Sequence, residues 1–447
     1  MTDFASQVRH QGTDYIVRSL LDVDFYKLTM AYFIFNNYRG KQVTFKLINR
    51  DVNIPLGKLI SEEDIREQFD YVRELRLRRT DIYYLRGMDI YGKHMFSEEY
   101  MRFLSNLSLG DYELKRVDDQ FELTFTGQWE VVTFWETIAL AIISELYYRK
   151  LMSTMTQNDV NIMYARATDK LYRKLINIKK NAPNAMIADF GQRRRHSFLW
   201  QKQAVEVAHD ILGNQFLGTS NTWLAFNQDL VPMGTNAHEL PMVVTALAKT
   251  DEQKFNAQYN ILKDWEKLFV NGLKIALPDT YGSEQFFSNL PEDLTYNLAN
   301  IWRGIRQDSG NPEVEADHFI AWLKQNGVKN LQEKLIIFSD GLDDDKIIDL
   351  QKKYENQIKV SFGWGTKLTN DFEDCLPNEN QKVPGIERTY KELFRPFSLV
   401  CKVVEVEGKP VVKLSNNINK ATGPQEEIIR YKKLFGIQGM SEQKVEV

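Results

Sequence analysis

From about residue 180 the chain repeats one local pattern: a short apolar run, a polar or glycine-rich turn, then a stretch that reads as helix. The runs end at Ile187-Ala-Asp-Phe-Gly, Phe216-Leu-Gly-Thr-Ser, Pro232-Met-Gly-Thr-Asn-Ala-His, Ile275-Ala-Leu-Pro-Asp-Thr, Gly304-Ile-Arg-Gln-Asp-Ser-Gly, Leu335-Ile-Ile-Phe-Ser-Asp-Gly and Val360-Ser-Phe-Gly-Trp-Gly-Thr. Short strands that alternate with helices imply parallel pairing through helical crossovers. The units are unevenly spaced, so the expected form over residues 151–394 is an irregular, incomplete TIM-like α/β barrel. A doubly wound open sheet is the alternative. In both architectures ligands bind at the carboxyl ends of the strands. Asp189, Arg193, Ser220, His238, Asp279, Arg306, Asp308, Asp340 and Thr366 all fall at those ends, and core packing alone would not require that.

Residues 1–150 read as a separate mixed α/β domain. A helix and a strand are expected within 15–50, with Asp22 or Asp24 placed to cap the helix and Tyr26 in its core. Helices follow over 62–76 and 97–107, a hairpin turns at Asp118-Asp119, and a long apolar helix covers 134–155. Residues 376–393 read as a loop, and 397–413 as a second hairpin around Glu407-Gly408. That hairpin, within 395–447, either completes the first domain or packs as a flap.

Charge and cysteine usage exclude several classes. The net charge of −4 offers no general attraction for nucleic acid or anionic lipid, so an anionic ligand needs a local cationic cluster. Only Cys375 and Cys401 are present, which fits a reducing cytoplasm and gives no disulfide framework or zinc site. The first residues lack a leader pattern, and the apolar run 138–143 is far shorter than the roughly 20 residues of a membrane span.

Four constellations carry chemistry. Gly234-Thr235-Asn-Ala-His238-Glu239 delivers an imidazole beside a carboxylate at a strand end, suited to a base, a nucleophile or a phosphate carrier. Arg306 and Asp308 stand at i and i+2, which in extended backbone face the same way. That pair suits an anion and sugar hydroxyls, and Asp340-Gly341 repeats the carboxylate theme. Gly363-Trp-Gly365-Thr366 lets backbone N–H groups approach a phosphate. Phe190, followed by Arg193, Arg194 and Arg195, offers a flat ring beside a concentrated cationic turn.

Together with Asp-Phe-Tyr26-Lys-Leu-Thr-Met, Gly218-Thr-Ser220-Asn, Asp279-Thr-Tyr and Lys413-Leu-Ser, these segments closely resemble nicotinate phosphoribosyltransferases of the bacterial type. The resemblance implies ATP-coupled transfer from 5-phosphoribosyl 1-diphosphate to nicotinate, giving nicotinate D-ribonucleotide and diphosphate for NAD biosynthesis. It implies His238 as a transient phosphohistidine, Glu239 orienting its ring and Asp279 steadying the ribosyl cation. Phe190 and a Tyr26 from the partner subunit would sandwich the pyridine, making a homodimer with shared sites. Arg193 and Arg306 would hold the carboxylate and phosphates, Asp308, Asp340 and Gly341 the ribose, Thr235 the substrate, and Gly363, Gly365 and Thr366 the 5-phosphate. Ser220 stands where nicotinamide-specific relatives carry an acidic residue, which fits an acid substrate. Mg2+ would accompany ATP and the diphosphate, with Asp308 the one protein carboxylate expected near it. Transfer to nicotinamide or quinolinate, and a catalytically silent phosphate-binding barrel, are the competing readings.

Overall fold

The computed structural model describes residues 14–89 and 93–445; the first residues, on which the leader reading rested, lie outside them. Two sheets organise the chain. The first is antiparallel, in the order β11-β10-β1-β3-β2, built from β1 (Gln42–Asn49), β2 (Tyr112–Val117), β3 (Gln120–Gln128), β10 (Leu399–Val406) and β11 (Lys409–Pro410). The second is parallel, in the order β5-β4-β9-β8-β7-β6, with β4 (Ile187–Asp189), β5 (Phe216–Thr219), β6 (Ile275–Ala276), β7 (Gly304–Gln307), β8 (Leu335–Phe338) and β9 (Lys359–Trp364).

The seventh expected strand end survives as a single parallel bridge, Thr219 with Pro232. Around the parallel sheet the chain therefore runs β6, β7, β8, β9, β4, β5 and the Pro232 segment. This is barrel order, with β9 returning beside β4 and no ladder joining the Pro232 segment to β6. Short strands explain the irregularity: β6 contributes only Ile275 and Ala276, too few backbone groups to close a ring. The expectation of an incomplete barrel holds.

Residues 112–128 form the hairpin read at Asp118, which takes the positive φ of 53° that the turn requires. The second hairpin also forms, and it joins the first sheet: β10 pairs along β1 from Val43–Val406 to Asn49–Leu399. Residues 376–393 are not all loop, since Tyr390–Leu393 makes one helical turn behind a Thr389 capping box. The Trp135–Ser153 helix is apolar on every face and buried on nearly all of them, the pattern of a core helix. The run Trp129–Ser153 is long and apolar enough to cross a membrane by composition, but 89% of its most apolar window is buried inside the protein. This helix packs on β1 and β10 on one side and on the Gln192–Arg194 turn on the other, so it locks the antiparallel sheet against the barrel rim.

Candidate active site

One cavity lies between the carboxyl ends of the parallel strands and the face of β10. Its barrel side is built around His238, the residue at the N-cap of the Glu239–Leu247 helix. The imidazole is held at both nitrogens: Nδ1 lies 2.9 Å from Thr280 Oγ1 and Nε2 lies 3.1 Å from Asp308 Oδ2. Burial pulls the His238 pKa down to about 4, with the Asp279 and Asp308 charges opposing it. The ring is neutral at physiological pH. Asp308 is held well below the usual carboxylate range: Arg306 and the His238 hydrogen bond outweigh its burial. An ionised Asp308 only accepts, so Nε2–H donates to it and Nδ1 accepts from the Thr280 hydroxyl. Arg306 and Asp308 do face the same way, with Nε 3.9 Å from Oδ1, as their i, i+2 spacing on β7 predicts.

The opposite end holds Phe190, Arg193, Ser220, Asp24 and Tyr26. The segment carrying Tyr26 is stitched to the end of β5 within the same chain. Phe25 N–H donates to Ser220 O at 2.7 Å and Thr222 N–H to Val23 O at 2.9 Å. Tyr26 packs over Gly234, where any Cβ would approach the Tyr26 nitrogen to 3.0 Å at a φ of +146°; glycine is needed there for both reasons. Phe190 lies over Gly363 even more tightly, since a Cβ on Gly363 would stand 2.3 Å from the ring. Of the three arginines, Arg193 and Arg194 line the cavity. Arg195 turns inward and grips both oxygens of Asp22 at 2.7 and 2.8 Å.

Between the two ends runs a cationic wall of Arg50, Arg306, Lys402, Lys413 and Lys420. Lys420 reaches both oxygens of Asp340 at 2.6 Å. Lys413 is almost wholly buried, 3.8 Å from Asp279. Burial, with the Lys413 and Arg50 charges beside it, holds the Lys402 amine well below the usual lysine value. In a chain of net charge −4 such a wall is the local anion site that the composition requires.

The C-terminal part of the chain, residues 185–438, matches the nicotinate phosphoribosyltransferase family, and residues 21–144 match that family's N-terminal domain. The chain belongs to the nicotinate phosphoribosyltransferase family. Among similar solved structures is the nicotinate phosphoribosyltransferase of Vibrio cholerae, 30% identical with a TM-score of 0.80, covering 95% of each chain. Another is that of Porphyromonas gingivalis, 27% identical with a TM-score of 0.79, covering 94% of this chain and all of that one. As a member of this family the chain is a nicotinate phosphoribosyltransferase enzyme.

Most family-motif residues reach the cavity: Tyr26, Phe190, Arg193, Ser220, His238, Glu239, Arg306, Asp308, Asp340, Gly341, Gly363, Gly365 and Thr366 all line it. Five expectations need correction. Tyr26 comes from the same chain, because the Val23–Thr222 and Phe25–Ser220 bonds fix it there. Glu239 does not orient His238; it accepts from Lys27 Nζ and from Trp129 Nε1, each at 2.6 Å. Asp279 is absent from the lining, standing behind the ring 3.6 Å from Nε2 and bonded to Ser309. Thr235 is also absent from it and serves as a strut, its carbonyl accepting from Thr29. Asp24 occupies the helix N-cap position but caps nothing; its side chain turns to Ser220.

Sequence reading missed Asp24, Glu136, Arg50, Lys402 and Lys420 as cavity residues. A signal existed for two of them. Glu136 interrupts an apolar helix and Lys402 an apolar strand, and a lone charge in an apolar run needs a partner or a ligand.

Proposed function

We propose that the chain makes nicotinate D-ribonucleotide and diphosphate from nicotinate and 5-phosphoribosyl 1-diphosphate, with ATP first phosphorylating His238. The observation that carries this reading is the neutral His238 ring, fixed at both nitrogens and facing a cavity with a cationic wall. A histidine acting as nucleophile must be unprotonated on the attacking nitrogen and held in one orientation. In the proposed step Asp308 first takes the Nε2 proton, the freed Nε2 lone pair then bonds to the γ-phosphorus, and the bond from that phosphorus to the ADP oxygen breaks as ADP leaves. Thr280 keeps the ring from turning, and Arg306 and Lys413 offset the charge on the transferring oxygens.

In the second step the pyridine nitrogen attacks the ribosyl carbon as diphosphate departs, and water then cleaves the Nε2–phosphorus bond, releasing phosphate and restoring the His238 ring. Tyr26 and Phe190 supply the two aromatic faces, Arg193 the counter-charge for the carboxylate, Asp340 an acceptor for ribose hydroxyls, and Gly365 with Thr366 the 5-phosphate contacts. Gly363 acts by seating Phe190. Among the described residues no group of three acidic or histidine side chains could by itself hold a metal. In this reading Mg2+ comes with the phosphates, and Asp308, which also contacts His238 and Ser339, is the protein carboxylate nearest to it. A homodimer is not needed to complete the site. Two buried free cysteines accord with a cytoplasmic setting.

The test is incubation with γ-labelled ATP. The reading expects an acid-labile, base-stable label that disappears in His238→Asn; acid-stable label, or label that survives the substitution, overturns the carrier role. Steady-state assays with nicotinate, nicotinamide and quinolinate test the substrate, and a preference for nicotinamide would overturn that part.

A further inference from the structure

Ser220 supports an acid substrate only if no carboxylate stands beside it, and the fold places one there. Asp24 is 2% exposed and lines the cavity. Its Oδ1 accepts the Ser220 hydroxyl at 2.6 Å. That hydroxyl is a single donor, so while it serves Asp24 it cannot serve a ligand. The other oxygen, Oδ2, is buried without a hydrogen-bond partner among the described residues, and Arg193 Nε stands 3.8 Å away. The proposed pyridine site thus brings a substrate carboxylate toward a protein carboxylate with a free oxygen. Two ionised carboxylates at close range repel strongly, whereas one proton between them makes a short charge-assisted hydrogen bond.

We propose that Asp24 determines pyridine specificity in this site: it carries a proton when nicotinate binds and donates it to the substrate carboxylate, so productive binding takes up one proton from solvent. The inference rests on the pyridine site proposed above. No covalent bond forms or breaks; the proton moves from water to Asp24 and stays shared between the two carboxylates.

The surroundings agree with that role. Burial raises the Asp24 pKa to about 6, while Arg193 and the Ser220 hydrogen bond pull it down and Glu136 and Asp189 push it up. The groups around it are accounted for on every side. On its own segment Asp22 is committed to Arg195, and Tyr26 Oη is buried without a hydrogen-bond partner among the described residues. On the helix above, Glu136 pairs with Lys27 at 2.5 Å and stands 3.8 Å from Arg193. At the end of β4, Asp189 is saturated by Gly191 N–H, Gln201 and Thr219. Among the described residues, Arg193 is the cation beside Asp24 with no closer carboxylate, standing 3.8 Å from both Asp24 and Glu136. The sign follows: the binding-competent, protonated form prevails below about pH 6 and is lost as pH rises. An ionised Asp24 would accept instead from the N–H of a carboxamide.

The experiment is kcat/KM for nicotinate against pH, from about 6 to 8.5. It should fall about tenfold per pH unit above the break, while kcat/KM for 5-phosphoribosyl 1-diphosphate stays level. Asp24→Asn keeps a donor for the carboxylate and an acceptor for Ser220, so its nicotinate profile should be flat, with the wild-type slope gone. An Asp24→Asn enzyme that keeps the slope overturns the proposal. Ser220→Ala removes a bond that favours the ionised form and should move the break to higher pH; an unmoved break also overturns it, whether or not Asp24→Asn folds. Phe190→Leu separates the two readings. If it leaves the nicotinate KM unchanged, the pyridine site itself is misplaced; if it raises KM while Asp24→Asn keeps its slope, only the proton-sharing role fails.

Discussion

At the His238 end of the cavity the polar groups come from successive strand ends of one parallel sheet: His238 after the Pro232 segment, Thr280 after β6, Asp308 after β7, Ser339 and Asp340 after β8. At the Tyr26 end they come from residues 24–26, the Trp135–Ser153 helix, the turn after β4 and the turn after β5. At the first end the strands before Thr280, Asp308 and Asp340 are joined by adjoining ladders, and His238 meets them from the Pro232 segment across the unladdered side of the barrel. The second depends on the N-terminal segment docking against the barrel through hydrogen bonds such as Phe25 N–H to Ser220 O. The contrast teaches that the reactive centre inherits its precision from the sheet, whereas recognition of the pyridine relies on contacts between distant parts of the chain.

Substitutions can break or sharpen that contrast. The largest expected effect is His238→Asn, which should abolish ATP-derived labelling entirely, measured by acid-quenched counting of the protein. Asp308→Asn should leave a slow reaction, down roughly 10²-fold in single-turnover labelling, because the proton acceptor is lost while the ring keeps its Thr280 bond; an unchanged rate would mean Asp308 does not receive the proton. At the other end effects should fall on binding. Tyr26→Ala should raise the nicotinate KM by about fivefold, from roughly 1 kcal/mol of stacking, with labelling of His238 unaltered. A mixture of Tyr26→Ala and His238→Asn chains should keep the raised nicotinate KM of Tyr26→Ala alone, since both residues serve the same chain's site; a population with the wild-type KM in the mixture would restore the shared-site arrangement. The smallest effect is one of pH. With the His238 pKa lowered from 6.5 to about 4 by burial, the neutral ring is present throughout the range above that value. Labelling should therefore be level from about pH 5.5 to 8, and a break near 6.5 would show a solvated, unperturbed imidazole.

The legibility of the two ends in the sequence differs for the same physical reason. Strand-end chemistry is local: a short apolar run and the polar residue that follows it stay together, so His238, Arg306, Asp308 and Asp340 were readable from their own neighbourhoods. Glu239 was misread because adjacency in sequence is not adjacency in space: on entering the helix its side chain points to Lys27 and Trp129 instead of the imidazole. Asp279 lies at a strand end as expected but on the buried side of the ring. Lys402 signalled a partner by interrupting an apolar strand, but which cavity it faces was not readable, because a hairpin's docking partner is not written in its own alternation.

By itself, the sequence determined the run of parallel strands, the rim on which chemistry gathers, and through its motifs the family. Those rest on short-range periodicity and on residue types at fixed offsets, which the chain carries wherever it folds. Only the tertiary structure decided that Tyr26 belongs to its own chain's site, that Lys402 of β10 joins the cationic wall, and that Asp24 abandons its helix to stand against Ser220. Each of these is a contact between segments far apart in sequence, set by which surfaces bury together and which buried polar groups must then find partners.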